Sequence, residues 1–122
     1  MLIVEDEFII ALLIRDMVRE LGYGVSGLAN NLSAAQAELG KHNFDAVLLD
    51  LGLDGQHGSE IADLLMENNV PFAFLTGYTR PFEPRHESVP MLRKPFTAGQ
   101  LRNVLDELVG TPRQRVANRT AG

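Results

Sequence analysis

The stretch DAVLLDLGLDG, residues 45–55, runs four apolar residues, Ala46 to Leu49, into an acid and then into a loop with two glycines. An apolar run of this length, bounded by turn signals, is typical of a strand that is buried on both faces. Asp45 at the front of the run fits a surface position. Asp50 at its end is either a surface cap or a carboxylate placed in a cleft for chemistry. Which interpretation holds depends on the residues elsewhere in the chain that can reach Asp50.

The composition is that of one ordinary globular domain. The chain has 122 residues, of which 45% are hydrophobic and 22% are charged. No apolar run approaches the roughly 18 residues that are needed to span a bilayer, so we expect no membrane segment. The chain has no cysteine, which excludes disulfides, zinc–thiolate sites and cysteine nucleophiles and fits a cytoplasmic location.

Charge is unevenly distributed along the chain. Residues 110–122 carry three of the eleven basic side chains and no acid, so residues 1–109 hold eight basic against sixteen acidic side chains, a net charge of −8. A body this acidic is a poor candidate for direct binding to nucleic acid. We expect residues 1–109 to form the domain and residues 110–122 to form a flexible basic tail.

Strand and helix signals alternate along the chain. The predicted strands are Leu2–Val4, Val25–Ala29, Ala46–Leu49, Phe72–Leu75 and Met91–Arg93. The predicted helices are Phe8–Leu21 with a stop at Gly22, one from a cap at Asn31 or Ser33 to Leu39 with a stop at Gly40, one from a cap at Ser59 to Glu67, and one opened by a Thr97–Gln100 capping box. This alternation predicts an α/β fold of βαβ units, a doubly wound parallel sheet with helices on both faces.

The alternation breaks between Gly77 and Pro95, a segment that contains four of the six prolines. A proline inside a helix costs about 3 kcal/mol. We therefore expect a loop or one short turn of helix in this segment, mobile compared with the rest of the domain. His86 in this segment and His42 elsewhere have polar neighbours, and both are predicted to be surface residues.

The residues that follow the predicted strands are candidates for a site, because ligands of open parallel sheets bind outside the carboxyl ends of the strands. These residues are Glu5 and Asp6 after the first strand, Asp50 after the third, Thr76 after the fourth and Lys94 after the fifth. Two carboxylates about 4 Å apart repel by roughly 4 kcal/mol at an effective dielectric of 20, and one lysine offsets only one charge of three. The excess favours a dication, and a set of oxygen ligands favours Mg²⁺, with Mn²⁺ or Ca²⁺ as substitutes.

Beside such a cation, Asp50 can act as a carboxylate nucleophile and form an aspartyl-phosphate. The cation, Lys94 and the Thr76 hydroxyl would then hold the phosphoryl oxygens, so that catalysis consists of positioning and charge neutralisation. Gly52 lets the backbone approach the metal, and its carbonyl would complete the ligand set.

Four motifs, LIVEDE, VLLDLGLDGQHG, FLTGY and RKPF, resemble those of a response-regulator receiver domain of two-component signalling, over about residues 2–109. The resemblance implies a flavodoxin-like (βα)5 fold with sheet order 2-1-3-4-5. It implies that Asp50 takes a phosphoryl group from a sensor histidine kinase or a phosphotransferase and that a downstream protein partner reads the change. The domain would not be an enzyme beyond its own phosphorylation and dephosphorylation.

The resemblance also implies a role for each matched residue. Asp6 would be a direct Mg²⁺ ligand and Glu5 would act through water. Thr76 would turn its hydroxyl toward the phosphoryl group, and Lys94 would pair with that group. The Lys94–Pro95 peptide bond would be cis.

Two features depart from the common receiver pattern. Met91 stands at the position where most receivers carry an aromatic switch residue, and the region of the usual fourth helix is rich in proline. Together with the sequence FAFLTGY, both features resemble the FAT GUY subgroup of receivers, which implies a kinase partner of the HWE or a related type. We hypothesise that the loop from Gly77 to Pro90 orders when Asp50 is phosphorylated, drawn by Thr76.

Two alternatives stay open. A degenerate receiver would never take phosphate and would serve only as a docking module, which Met91 leaves possible. A Mg²⁺-dependent phosphatase with an aspartyl nucleophile would carry a second acid two residues after the nucleophile, where this chain has Gly52. Metal dependence separates these readings, because both kinds of phosphoryl transfer need Mg²⁺ and docking does not.

Overall fold

Five parallel strands form one sheet in the computed structural model, which describes residues 1–41, 44–52, 57–77 and 83–109, with only the backbone at residue 57. The strands are β1 Leu2–Val4, β2 Gly27–Ala29, β3 Val47–Asp50, β4 Phe72–Thr76 and β5 Met91–Arg93, in the order β2-β1-β3-β4-β5. The helices are α1 Phe8–Glu20, α2 Leu32–Lys41, α3 His57–Glu67 and α4 Ala98–Val109, and a 3-10 turn at Pro84–His86 precedes β5. The predicted fold and strand order are confirmed.

The sheet is buried on both faces, because successive side chains of a strand point in opposite directions. Ile3, Leu48 and Leu75 pack on one side with α1 and α4. Val4 and Phe74 pack on the other side with α2 and α3. This double burial is the reason that the strands read as continuous apolar runs rather than as alternating patterns.

The strand order reverses next to β1. Leu2 of β1 pairs with Gly27 of β2 on one side and with Val47 of β3 on the other. The chain therefore runs outward from β1 to β2 and crosses back to β3. The crevice at the carboxyl ends of β1 and β3 is the switch point at which doubly wound folds bind their ligands.

Two predicted helix signals have the expected geometry. Gly22 ends α1 with a φ of 96°, a left-handed conformation that glycine adopts without strain, and the Tyr23 N–H donates to the Val18 carbonyl (3.2 Å). At the start of α4, the Thr97 N–H donates to the Gln100 side chain (2.9 Å), and the Gln100 N–H donates to Thr97 Oγ1 (3.1 Å). This reciprocal pair is the predicted capping box.

Some predicted strand boundaries were wrong. β2 begins at Gly27 rather than Val25, because its ladder with the short β1 starts only at Leu2. β3 and β4 each end one residue later than predicted, at Asp50 and Thr76. These two polar residues are therefore parts of the sheet rather than of the loops that follow it.

The starts and ends of two helices also differ from the prediction. The Asn31 side chain caps α2 by accepting a hydrogen bond of 2.8 Å from the N–H three residues later. α2 continues past Gly40 to Lys41, since a single glycine is tolerated within a helix at a cost of about 1 kcal/mol. α3 begins at His57, so Ser59 lies within its first turn and is not its cap.

Between β4 and β5, the described residues form one 3-10 turn and no α-helix, as the prolines predict. The Val89 N–H donates to the His86 carbonyl (3.0 Å) just after this turn. The prediction that His86 lies at the surface was wrong, because its side chain is fully buried. Its ring packs against Phe74 of β4 at a centroid distance of 5.6 Å.

Several predictions fall on parts of the chain that the structure does not describe. His42, residues 78–82 and the tail at 110–122 lie outside the described ranges, so the mobile loop and the domain boundary stay predictions. Among the helices within those ranges, none has both the length and the apolar character that crossing a bilayer requires.

Gly58 of α3 lies against the end of β3. A Cβ at this position would lie 2.5 Å from the Leu51 carbonyl oxygen and 3.0 Å from the Asp50 carbonyl oxygen. Gly40 of α2 offers a matched control, because no atom lies within 4 Å of a Cβ built there. Both glycines lie in helices, so alanine raises helix propensity at both and only the contacts differ.

We expect Gly58→Ala to lower the free energy of unfolding by about 1–3 kcal/mol, because a backbone carbonyl cannot yield as a side chain can. We expect Gly40→Ala to raise it by about 0.5 kcal/mol through helix propensity. Urea denaturation of both variants measures these changes. Equal effects at the two positions would contradict the close approach of α3 to β3.

Candidate functional site

Three predicted carboxylates meet at the switch point. Oxygen atoms of Glu5, Asp6 and Asp50 all lie within 4.8 Å of one another. Glu5 and Asp6 directly follow β1, and Asp50 is the last residue of the neighbouring β3. Glu5 is 1% exposed and Asp50 is 7% exposed, whereas Asp6 is open to solvent. The cluster therefore has a buried floor of two carboxylates and an accessible rim.

Lys94 directly follows the edge strand β5, and its side chain reaches this cluster. Its Nζ donates to Glu5 Oε1 at 2.8 Å and lies 3.8 Å from Asp50 Oδ1. Its backbone N–H donates to the Thr76 carbonyl at 2.7 Å, which extends the pairing of β4 and β5 to the edge of the site. The Lys94–Pro95 peptide bond is cis, the isomer that the resemblance implies.

Of the other predicted site residues, Thr76 and Gly52 lie next to Asp50, and Met91 lies in the core cluster with α2 and α3. Thr76 ends β4, is 1% exposed and follows Leu75, the Cα partner of Asp50 across the ladder. The Gly52 N–H donates to Asp50 Oδ1 at 3.0 Å, so Gly52 orients the carboxylate, and the role of its carbonyl in metal binding stays a prediction. Met91, the first residue of β5, is half-buried and packs on the α2 and α3 side of the sheet.

Glu5 and Asp50 compete for the same positive charge. Burial is the largest cause that raises the pKa of Asp50 to about 7, and the hydrogen bond and negative charge of Glu5 raise it further. Burial also acts to raise the pKa of Glu5, but hydrogen bonds with Asp50 and Lys94 outweigh it and lower that pKa. Because Lys94 Nζ lies 1.0 Å closer to Glu5 than to Asp50, the first negative charge belongs to Glu5 and the proton to Asp50.

The donor set fits a hard dication. With all three carboxylates ionised and Lys94 charged, the cluster carries a net charge of −2, and its ligand atoms are oxygens. Burial is the largest cause of the raised pKa of Asp50, and the positive charge of Lys94 does not offset it. Asp6 and Asp50 are the carboxylates that would hold Mg²⁺ directly, since Glu5 already accepts a hydrogen bond from Lys94.

Comparison with known proteins identifies the family. The sequence profile of the response regulator receiver domain matches residues 1–106. The chain belongs to this family. Receiver domains are signalling domains of two-component systems, and they bind Mg²⁺ at an acidic pocket. In this receiver domain, the acidic pocket is the cluster of Glu5, Asp6 and Asp50.

Individual relatives agree with this identification. The phyllosphere-induced regulator PhyR of Methylorubrum extorquens is 32% identical over 111 residues, which cover 87% of this chain and 42% of that protein. This receiver domain thus spans less than half the length of that relative. The NMR structure of the receiver domain of PhyR from Erythrobacter litoralis is 30% identical, with a TM-score of 0.78 and coverage of 88% of this chain and 87% of that chain.

One similar structure was solved with ligands. The response regulator TrrA of Thermotoga maritima, in complex with Mg²⁺ and BeF, is 25% identical, with a TM-score of 0.78. The match covers 88% of this receiver domain and 96% of that chain. The ligands belong to TrrA, and the two proteins have the fold in common.

Sequence reasoning missed the ion pair between Glu5 and Lys94. The resemblance implies that Glu5 reaches a metal through water, but its buried carboxylate accepts a direct hydrogen bond from Lys94. The signal in the sequence is weak: Glu5 is the first acid after the apolar strand and so the one nearest to the core. Only the fold shows that Lys94, 89 residues away, reaches it.

The raised pKa of Asp50 predicts a pH dependence of the free energy of unfolding in metal-free buffer. The pKa of Asp50 is about 7 in the folded chain and near 3.8 when unfolded, so the folded state binds more protons between these values. The contribution of Asp50 to stability is therefore fully present below about pH 4 and is lost as the pH rises through 7.

We expect Asp50→Asn to raise the free energy of unfolding at pH 8 without metal by about 1–2 kcal/mol, because the neutral amide removes one buried charge. The gain should shrink as the pH falls toward 5. Urea denaturation across this range provides the measurement, with Asp45→Asn at the other end of the β3 segment as the matched control. A variant that is less stable than the wild type at pH 8 would contradict the assignment of the proton to Asp50.

Proposed function

We propose that this receiver domain accepts a phosphoryl group on Asp50 from a histidine kinase or phosphotransferase in the cytoplasm and thereby switches a protein-binding surface. The observation that carries the proposal is the position of Asp50 at the switch point, with two further carboxylates within 4.8 Å and Lys94 Nζ 3.8 Å from its Oδ1. A buried acid in this setting is a nucleophile with the groups around it that phosphoryl transfer needs.

The transfer step assigns a task to each residue. The ionised Asp50 attacks the phosphorus of a phosphohistidine, so a P–O bond forms, the P–N bond breaks and the departing imidazole keeps the electron pair and takes a proton. Mg²⁺, when bound, supplies the positive charge that keeps Asp50 ionised and balances the phosphoryl oxygens. Lys94 and the Thr76 hydroxyl would donate to those oxygens, while Gly52 fixes the carboxylate through its N–H.

The proposed phosphoryl donor docks on α1. Phe8, Ile9 and Leu13 are each more than half exposed, although they are large apolar residues. They lie in the first two turns of α1, which begins at Phe8, two residues after Asp6, so this patch borders the mouth of the site. An exposed apolar patch of this kind marks a contact with another protein. We propose a helix of the donor, a kinase of the HWE or a related type, as its occupant.

The two alternative functions have less support. A docking module that never takes phosphate has no use for a carboxylate held at a raised pKa beside a lysine, a costly arrangement for structure alone. A phosphatase would need a general acid at the position of Gly52, which has no side chain. Met91 bears on how the switch works rather than on whether Asp50 takes phosphate.

We expect acetyl phosphate or phosphoramidate to add one phosphoryl group to the chain when Mg²⁺ is present, as measured by intact mass spectrometry. EDTA and Asp50→Asn should each abolish the addition, and Asp45→Asn should leave it unchanged. Phosphorylation of Asp50→Asn to the wild-type extent would contradict the proposal. A wild-type chain that takes no phosphate with either donor would favour the docking module.

The patch on α1 predicts a difference between protein and small-molecule donors. Phe8→Ser with Ile9→Ser should slow transfer from a phosphorylated HWE-type kinase at least about tenfold, because such apolar anchors carry much of the binding energy. The rate with phosphoramidate should not change. Met66→Ser is the matched control, since Met66 is an exposed apolar residue on α3. Equal slowing with both donors would show that the variant damages the site rather than the contact.

A further inference from the structure

Outside the phosphoryl site, one polar cluster ties the segment between β4 and β5 to α3. Asp63 of α3 accepts two hydrogen bonds from Arg85, one from Nε to Oδ1 and one from Nη2 to Oδ2, both at 2.8 Å. His86 Nε2 lies 2.9 Å from the same Oδ1. Arg85 Nη1 donates a further hydrogen bond of 3.0 Å to Glu83 Oε2. We name Asp63, Arg85 and His86 the Asp63 latch.

The latch differs from an ordinary surface ion pair. Arg85 and Asp63 form a two-bond fork, the geometry that gives such pairs their specificity. The hydrogen bond from Arg85 is the largest cause that lowers the pKa of Asp63 to about 2, so Asp63 is ionised and His86 Nε2 is the donor. The ring of His86 is fully buried, and it spans from Asp63 on α3 to Phe74 on β4.

The two ring nitrogens of His86 differ in their contacts. Nε2 bonds to Asp63, whereas the buried Nδ1 has no hydrogen-bond partner among the described residues. The position of His86 is therefore fixed by its contact with Asp63 and by its packing against Phe74.

Both ends of the latched segment connect to groups that phosphorylation would move. The segment follows Thr76, the buried end of β4, and leads into β5, which carries Lys94 at its end. In the structure, Lys94 Nζ is bonded to Glu5 and not to Asp50. A phosphoryl group on Asp50 would draw both Lys94 and the Thr76 hydroxyl toward itself. Phe74, which contacts His86, lies two residues before Thr76 on the same strand.

We propose that the Asp63 latch holds residues 83–89 in their present place while Lys94 pairs with Glu5, and that it opens when Asp50 carries a phosphoryl group. This inference rests on the proposed function, and it identifies the contacts that oppose the conformational change on phosphorylation. A closed latch makes the phosphorylated arrangement harder to reach, so its removal raises the affinity of the site for a phosphoryl mimic.

The test measures how tightly the full chain binds beryllofluoride, a mimic of the phosphoryl group, in the presence of Mg²⁺, from amide NMR shifts around Asp50 and Lys94. Asp63→Asn and Arg85→Gln should each lower the half-saturating concentration by roughly fivefold or more. Both side chains are partly exposed, so the variants should fold. Asp16→Asn is the matched control, because Asp16 pairs with Arg15 on the surface of α1, and it should leave the affinity unchanged.

Amide hydrogen exchange provides the second measurement. The N–H groups of His86 and Val89 are hydrogen-bonded within the segment, and in the wild type their protection should fall when beryllofluoride binds. Unchanged or weaker affinity in Asp63→Asn and Arg85→Gln, or unchanged protection in a wild type that binds the mimic, would overturn the latch. A wild type that shows no shift at Asp50 and Lys94 would refute the proposed function, and the latch with it.

Discussion

Two buried carboxylates, Glu5 and Asp50, share one lysine where β1 and β3 end, and the rest of the site depends on this shortage of positive charge. Lys94 Nζ lies 2.8 Å from Glu5 and 3.8 Å from Asp50, so it satisfies Glu5 first. Burial, followed by the hydrogen bond and the negative charge of Glu5, raises the pKa of Asp50 to about 7. We propose that a cation bound at this cluster displaces the proton and leaves the Asp50 carboxylate as the nucleophile.

The fold brings these groups together from distant parts of the chain. The reversal of strand order puts the end of β1 beside the end of β3, and the pairing of β4 with β5 brings Lys94 to the same edge. Between β4 and β5, the described residues form a 3-10 turn at Pro84–His86 and no α-helix. Residues 83–89 are held by side-chain contacts of Arg85 with α3 and of His86 with α3 and β4.

Much of this arrangement is predictable from the sequence, because each site residue sits at the end of an apolar run and parallel strands end at one edge. The order of the strands came from the resemblance to a known family rather than from the apolar pattern. Long-range contacts were harder to predict. Polar neighbours in the sequence indicated that His86 is exposed, although its ring is buried against Phe74. The start of α3 was misplaced because Ser59 has the character of a cap, whereas the helix already begins at His57.

Under the proposed function, a cation and a proton compete for Asp50. Calorimetric titration with Mg²⁺ at about pH 6.5, in two buffers of different ionisation enthalpy, counts the protons released on binding. With a pKa of about 7 at Asp50, we predict that the wild type releases roughly half a proton or more and that Asp50→Asn releases none. Mg²⁺ binding without proton release, or the same release from Asp50→Asn, would contradict the account.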